Sequence, residues 1–259
     1  MTRISPIKAF INTPISQLCC VVTLAVPFAT SLMDIKYLFL LSYTPAIAQW
    51  HQYWRFATFQ TAFTQESDVL LGVLLWYNFK VLERLYGSHK YLTVIFLAFV
   101  WNAVLVAALF FLNQILVQFT GWSWFNTVAS GPLAILFSLL AIYYSKVPVS
   151  YSFEVQLTPQ DNPSHVPKKL LLSDKSFVYV LTLQMFVNNG WHSMVPCLVG
   201  LVTGCAIVND FLPGQNRWRI PLRAVSVPEA STEPEEEEEE DAAEPVRPLT
   251  TQLLNTFRA

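Results

Sequence analysis

Ser130-Gly131 opens one apolar segment of this chain, and Cys197 stands just before Gly200-x-x-x-Gly204 in another. An alcohol becomes a nucleophile only when a base takes its proton, and hydrolysis also needs donors for the developing oxyanion, each worth on the order of 10² or more in rate. His192 is the histidine closest to Cys197, five residues earlier, which puts it about 140° around an ideal helix and a turn away. A working Ser130–His192 pair would need that helix to unwind at Pro196. Ser130 therefore has no base that the spacing of this sequence places beside it. Ser130-Gly131 and His192 have plainer uses, as a close-packing helix start and an interfacial cap.

These residues lie in a chain that is 53% hydrophobic and 13% charged, with mean hydropathy +0.40, too apolar for an ordinary water-soluble domain. Six candidate spans fall at 15–33, 69–81, 91–116, 124–144, 176–187 and 191–207. The first is long for a cleaved signal core and reads as a retained span. Arg3, Lys8, Lys80, Arg84, Lys90, Lys146, Lys168, Lys169, Lys175, Arg217, Arg219 and Arg223 share one side, leaving Lys36 and Arg55 on the other. Cationic loops stay cytosolic, so both termini are expected there.

Several spans are short. The thirteen residues 69–81 rise roughly 20 Å against a hydrocarbon core of roughly 30 Å, a mismatch relieved by thinned lipid or by neighbours. Asn78, Asn102, Gln184 and Asn188 lie within or beside spans and should find partners inside the bundle. The loop 34–68 is dense in aromatics, Tyr37 and Trp50 among them, and reads as a segment lying in the membrane interface. The polar loop 145–175 carries Pro159, Pro163 and Pro167, with short strands expected near 151–157. Residues 1–212 make the membrane domain, and 213–259, with its acidic run 235–241, reads as a disordered cytosolic tail. Cys19, Cys20, Cys197 and Cys205 all sit in apolar segments, so neither a disulfide framework, a metal nor a cofactor is expected.

Trp54-Arg55 in the long loop, Glu83-Arg84 followed by Tyr86-Gly87-Ser88, Ser130-Gly131 and Gly200-x-x-x-Gly204, in that order, resemble the rhomboid superfamily. The stretch 76–91 is most similar to rhomboid-like proteins that carry a C-terminal ubiquitin-associated domain, a group that includes the rhomboid-like subunit of the fungal Dsc E3 ubiquitin ligase and is related to the derlins. The resemblance implies an all-α, six-transmembrane-helix rhomboid-like bundle. Active members read G-x-S-G where this chain has Val128-Ala129-Ser130-Gly131, and carry a histidine at the position of Cys197. Their oxyanion residues fall by counting on Ser67 and Leu71, which do not match.

The resemblance thus implies a pseudoprotease that recognises or scaffolds membrane proteins within an E3 ligase assembly of the endoplasmic reticulum or Golgi. The expected partners are membrane ligase subunits, transmembrane clients and the bilayer, with no nucleic acid. The eighteen residues after Asp241 are too few for a ubiquitin-associated domain, which argues against direct ubiquitin binding. The alternative is an active rhomboid intramembrane protease using Ser130. The retained positions carry structural expectations. Trp54 and Arg55 anchor the loop at the headgroups, Glu83 caps a helix end, and Gly87 makes a turn. Gly200 and Gly204 let the last helix close on a neighbour, expected at Ser130-Gly131.

Overall fold

A computed structural model describes residues 13–121, 125–149, 151–156 and 169–212, all within one unit, Met1–Ile220. The acidic run 235–241, the prolines 159, 163 and 167, the boundary expected at 213 and the tail behind it lie outside the described residues. The element order is α1 (Pro14–Leu32), β1 (Leu41–Ser42), α2 (Arg55–Thr58), α3 (Glu66–Tyr86), α4 (Ser88–Thr120), β2 (Thr127–Val128), α5 (Leu133–Lys146), β3 (Ser152–Gln156), β4 (Lys169–Ser173), α6 (Ser176–Asn188) and α7 (Trp191–Val208). Three helices are long and apolar enough to cross a membrane: Pro14–Leu32, Ser88–Phe119 and Trp191–Val208.

The shortest helices sit differently in the bundle. α5 has 14 residues, about 21 Å of rise, and is apolar all round. Such a helix must be central, and Leu133 through Leu139 are all buried. Its closest neighbour is α7, because a Cβ on Gly200 would run into the Ala134 carbonyl and one on Gly204 into the Ser138 carbonyl. Backbones can approach this closely only where the side chain is a hydrogen. The glycine pair thus meets the expected helix, but deeper along it than Ser130-Gly131.

Asn102 on α4 joins this seam. Its amide nitrogen donates to Ser138 Oγ at 3.2 Å and its oxygen accepts from Thr203 Oγ1 at 2.6 Å, all three side chains being fully buried. Ser138 Oγ in turn reaches the Gly200 carbonyl at 2.9 Å. In a lipid-surrounded core these groups have no water to fall back on, so each bond fixes the register of three helices. The other span amides differ. Asn78 bonds its own helix at the Leu74 carbonyl, 2.7 Å, and Gln184 is exposed rather than turned inward.

The expected fourth span is corrected. Apolar sequence begins near 124, but the helix begins at Leu133. Val128 pairs with Leu41 in a short antiparallel ladder, the Ala129 N–H donates to the His192 carbonyl at 2.8 Å, and the Gly131 N–H donates to the Phe59 carbonyl at 2.6 Å. With those amides bonded elsewhere, the segment enters the bundle extended. The strands expected near 151–157 are present as β3, antiparallel to β4 with Ser152 opposite Ser173.

The aromatic loop divides its rings. Phe59 and Phe63 are buried, and Phe56 and Tyr43 pack on Phe110 of α4 at 5.9 and 6.3 Å. Tyr37, Trp50, Tyr53 and Trp54 face outward. One side of the loop is core and the other is an aromatic surface suited to headgroup depth.

Candidate functional site: a polar cleft beside Ser130

Thr64, Ala129, Thr127, Asn188, Asn189 and His192 line a cleft of about 270 Å³ at one end of the bundle. Ser130 is buried next to the lining residue Ala129, and its Oγ donates to Oγ1 of Thr64, which does line the cleft, at 3.1 Å. An alcohol partner cannot take a proton near neutral pH. His192 is exposed, and its Nδ1 sits 2.9 Å from Thr127 Oγ1 and 3.0 Å from the Thr127 carbonyl. Among the described residues no hydrogen bond joins Ser130 to His192 or to Cys197. Cys197 is fully buried in the hydrophobic core.

Pro196 does not unwind α7, which runs through it. A proline lacks the N–H that would bond the carbonyl four residues back, and that carbonyl belongs to His192. Freed from the helix, it accepts the Ala129 N–H. The proline thus fastens the segment leading to Ser130. Gly131 completes the fastening at φ +126°, a conformation that L side chains rarely adopt, and a Cβ there would strike the Phe63 ring. The Ser-Gly pair therefore has a full structural explanation in the turn it makes.

The amides nearest the cleft are engaged as well. Asn188 donates to Asp68 Oδ1 at 2.6 Å and to Ser67 Oγ at 2.7 Å, and Asn189 donates to Asp68 Oδ2 at 2.7 Å. Asp68 is 1% exposed. Ser67 is consumed in that network, and Leu71, the other position counted for an oxyanion donor, is a buried core residue. Sequence reading missed Asp68, Asn189 and Thr64. The available signal was Asn188-Asn189-Gly190 between two apolar helices, a polar corner that needed an acceptor.

The remaining motif residues sit away from the cleft. Trp54 is exposed while Arg55, 5.5 Å from its ring, is buried. Arg55 Nη1 donates to the Tyr37 and Leu40 carbonyls at 2.9 and 2.7 Å, and Nε to Gln52 Oε1 at 2.6 Å. The expectation that its cation faces phosphates is corrected: a guanidinium fork that satisfies loop carbonyls is held inward.

Glu83 is buried at the opposite end of α3. Its carboxylate accepts the Ile15 and Ser16 N–H groups at 3.0 and 2.7 Å and the Ser88 hydroxyl at 2.8 Å. One acidic residue thus caps the N-terminus of α1 and ties it to the start of α4. Gly87, at φ +79° and ψ 150°, makes the one-residue turn between α3 and α4. Lys175 mirrors Glu83: it is buried, and its Nζ donates to the Val147 and Tyr144 carbonyls at the C-terminus of α5. No group of His, Cys, Asp and Glu suited to a metal occurs among the described residues.

Residues 16–205 match the model of a family described as a eukaryotic integral membrane protein, DUF1751. Rhomboid-like protein 18 of Arabidopsis thaliana is 27% identical over 151 residues, 58% of this chain and 46% of that protein. Ubiquitin-associated domain-containing protein 2 of Mus musculus is 30% identical over 176 residues, 66% of this chain and 46% of its own length. DSC E3 ubiquitin ligase complex subunit 2 of Schizosaccharomyces pombe is 21% identical over 194 residues, 74% and 46% respectively. The chain spans less than half the length of these curated relatives.

Proposed function

The chain belongs to the DUF1751 family of eukaryotic integral membrane proteins, and from that premise we propose that it is a noncatalytic rhomboid-like scaffold that recognises membrane proteins or assembles a membrane E3 ubiquitin ligase for ubiquitin-dependent degradation. The observation that carries the reading is the Ser130 hydroxyl bonded to the Thr64 hydroxyl, with a buried thiol at 197 where the rhomboid-like pattern has its base. The similarity to a subunit named for an E3 ligase complex supports the ubiquitin side of it.

In this reading α1, α3, α4, α5, α6 and α7 are six spans in an endoplasmic reticulum or Golgi membrane. Both termini are cytosolic, since Lys80, Arg84, Lys90, Lys146 and Lys175 cluster toward the Glu83 end. The cleft above Ser130 then opens toward the lumen. Short α6, whose Phe177, Val180, Leu183 and Val187 face outward, thins the surrounding lipid, which lowers the cost of bringing a polar client segment to the bundle. The retained motif residues serve architecture: Arg55 closes the loop, Glu83 and Gly87 join three helices, Gly131 makes the turn into α5 against Phe63, and Gly200 and Gly204 seat α7. Ligase subunits and transmembrane clients are the partners.

Crosslinking in membranes followed by extraction in mild detergent and mass spectrometry should recover a membrane RING ligase together with transmembrane clients. A monomer free of such partners would remove the scaffold reading. A serine-directed fluorophosphonate should leave Ser130 unlabelled under conditions that label an active rhomboid, and Ser130-dependent cleavage of a transmembrane substrate would replace the scaffold with a protease.

A further inference from the structure

α1 and α3 are packed at one end and parted at the other. Near Glu83 they are joined by the carboxylate on Ile15 and Ser16, and further along Cys20 Sγ lies 3.9 Å from the Val73 carbonyl. Gly72 still lies close to α1, since a Cβ there would sit 3.5 Å from Thr23 Cγ2. Beyond that point the helices diverge around a cleft of about 600 Å³. Its walls are apolar, with Leu24, Ala25, Phe28 and Val69 among them, and its mouth carries Lys36 just after α1 and Glu66 at the first residue of α3.

We propose that this cleft holds one zwitterionic phospholipid of the leaflet on the Ser130 side, with its acyl chain between α1 and α3, its phosphate on Lys36 and its headgroup ammonium on Glu66. Depth selects a lipid over a protein segment. The walls on α1 run from Leu24 to Ser31, about 10 Å of helix, against a leaflet share of about 15 Å of hydrocarbon. A client helix crossing the membrane would have to continue into the half where α1 and α3 are closed on each other. A lipid ends at mid-bilayer, where the cleft ends.

Charge selects the headgroup. Among the described residues neither the Lys36 nor the Glu66 side chain makes a hydrogen bond or ion pair, so the mouth offers one free cation and one free anion. A phosphate beside an ammonium matches that pair, whereas an anionic lipid would satisfy Lys36 and set its net charge against Glu66. Occupancy needs only the membrane bundle, so it does not depend on the scaffold reading.

Native mass spectrometry of the full chain, delipidated and titrated with 1-palmitoyl-2-oleoyl phosphatidylcholine or the matching phosphatidylglycerol, tests the proposal. One phosphatidylcholine per chain should be retained in preference to phosphatidylglycerol. Ala25→Trp, on an exposed wall position, should abolish retention by filling the cleft. Lys36→Gln, in the short 3-10 turn Lys36–Leu38 after α1 and tolerable to the fold, should lower the phosphatidylcholine preference by about threefold. Equal retention of both lipids, retention unchanged in Ala25→Trp with the preference unchanged in Lys36→Gln, or a co-purifying peptide that excludes lipid would each overturn it. These readouts are blind to ligase partners, so loss of lipid selectivity and loss of the scaffold are separate failures.

Discussion

The two ends of the bundle are held by different chemistry. At the Glu83 end, buried charges bond directly to helix termini: Glu83 to the first amides of α1, and Lys175 to the last carbonyls of α5. At the Ser130 end, beside the backbone bonds that fasten residues 129 and 131 and the carbonyls that hold Arg55, several contacts run between side chains, as in Asp68 with Asn188 and Asn189, Ser130 with Thr64, and His192 with Thr127. A helix terminus cannot turn away from its partner, whereas an amide or hydroxyl can rotate toward solvent or a ligand. One end is therefore locked and the other adjustable, and the two clefts described above open at the adjustable end.

Both ends depend on the α5–α7 seam, so the largest effect is expected there. Gly200→Leu would drive a side chain into the Ala134 backbone and cost about 3 kcal/mol or more, because backbone cannot step aside. Denaturant unfolding in mixed micelles checks it, and near-wild-type stability would mean that α7 does not sit this close to α5. Next comes Glu83→Ala. It strands two amides and a hydroxyl in a buried setting, with an expected loss of about 3 kcal/mol and early exchange of the amides of the first turn of α1. Lys175→Met should follow at about 2 kcal/mol, the loss of a charge-assisted cap at the end of α5.

What could be read in advance follows the same division. Most helix positions were legible because apolar length and Gly or Pro punctuation are local properties, but the second span, read as the thirteen residues 69–81 and too short for the bilayer, is corrected to a 21-residue helix, Glu66–Tyr86, whose polar ends hid its length. The start of α5 was not legible, because residues 125–132 read as part of an apolar span although Asn126, Thr127, Ser130 and the Gly131-Pro132 break lie within them, and their distant partners, Leu41, Phe59 and His192, bond them outside the helix. Glu83 and Arg84 were legible only as a charged pair at the end of the second span, one of them a cap for it; that Glu83 instead holds the first turn of α1, 67 and 68 residues away, is a relation that no local pattern carries. Arg55 was placed at the headgroups because a cation beside a tryptophan is usually found there. The unsatisfied carbonyls of residues 37 and 40 that draw it inward exist only once the loop has folded.

The locked and adjustable ends can be compared directly through two buried carboxylates. Asp68 is as buried as Glu83, at 1% exposure each, and accepts from two asparagines. Asp68→Ala should nonetheless cost less, about 1–2 kcal/mol, since Asn188 and Asn189 are only half-buried and can rehydrate. Equal losses for the two variants in the same micelle assay would erase the distinction between the ends.

The smallest effect is expected at the residue with the most conspicuous chemistry. Ser130→Ala removes one hydrogen bond between two hydroxyls, and Thr64 is half-buried and can turn to water, so the loss should stay below about 1 kcal/mol. Gly131→Ala, one residue on, should cost more than Ser130→Ala, because it opposes both the positive φ and the Phe63 ring. A nucleophile would reverse that order in function: the alcohol would be indispensable to turnover and its neighbour only helpful. Measuring stability and client turnover for both variants in cells therefore separates a structural turn from a catalytic hydroxyl. If client levels rise with Ser130→Ala while the protein remains folded, the hydroxyl does chemistry that its Thr64 partner does not account for.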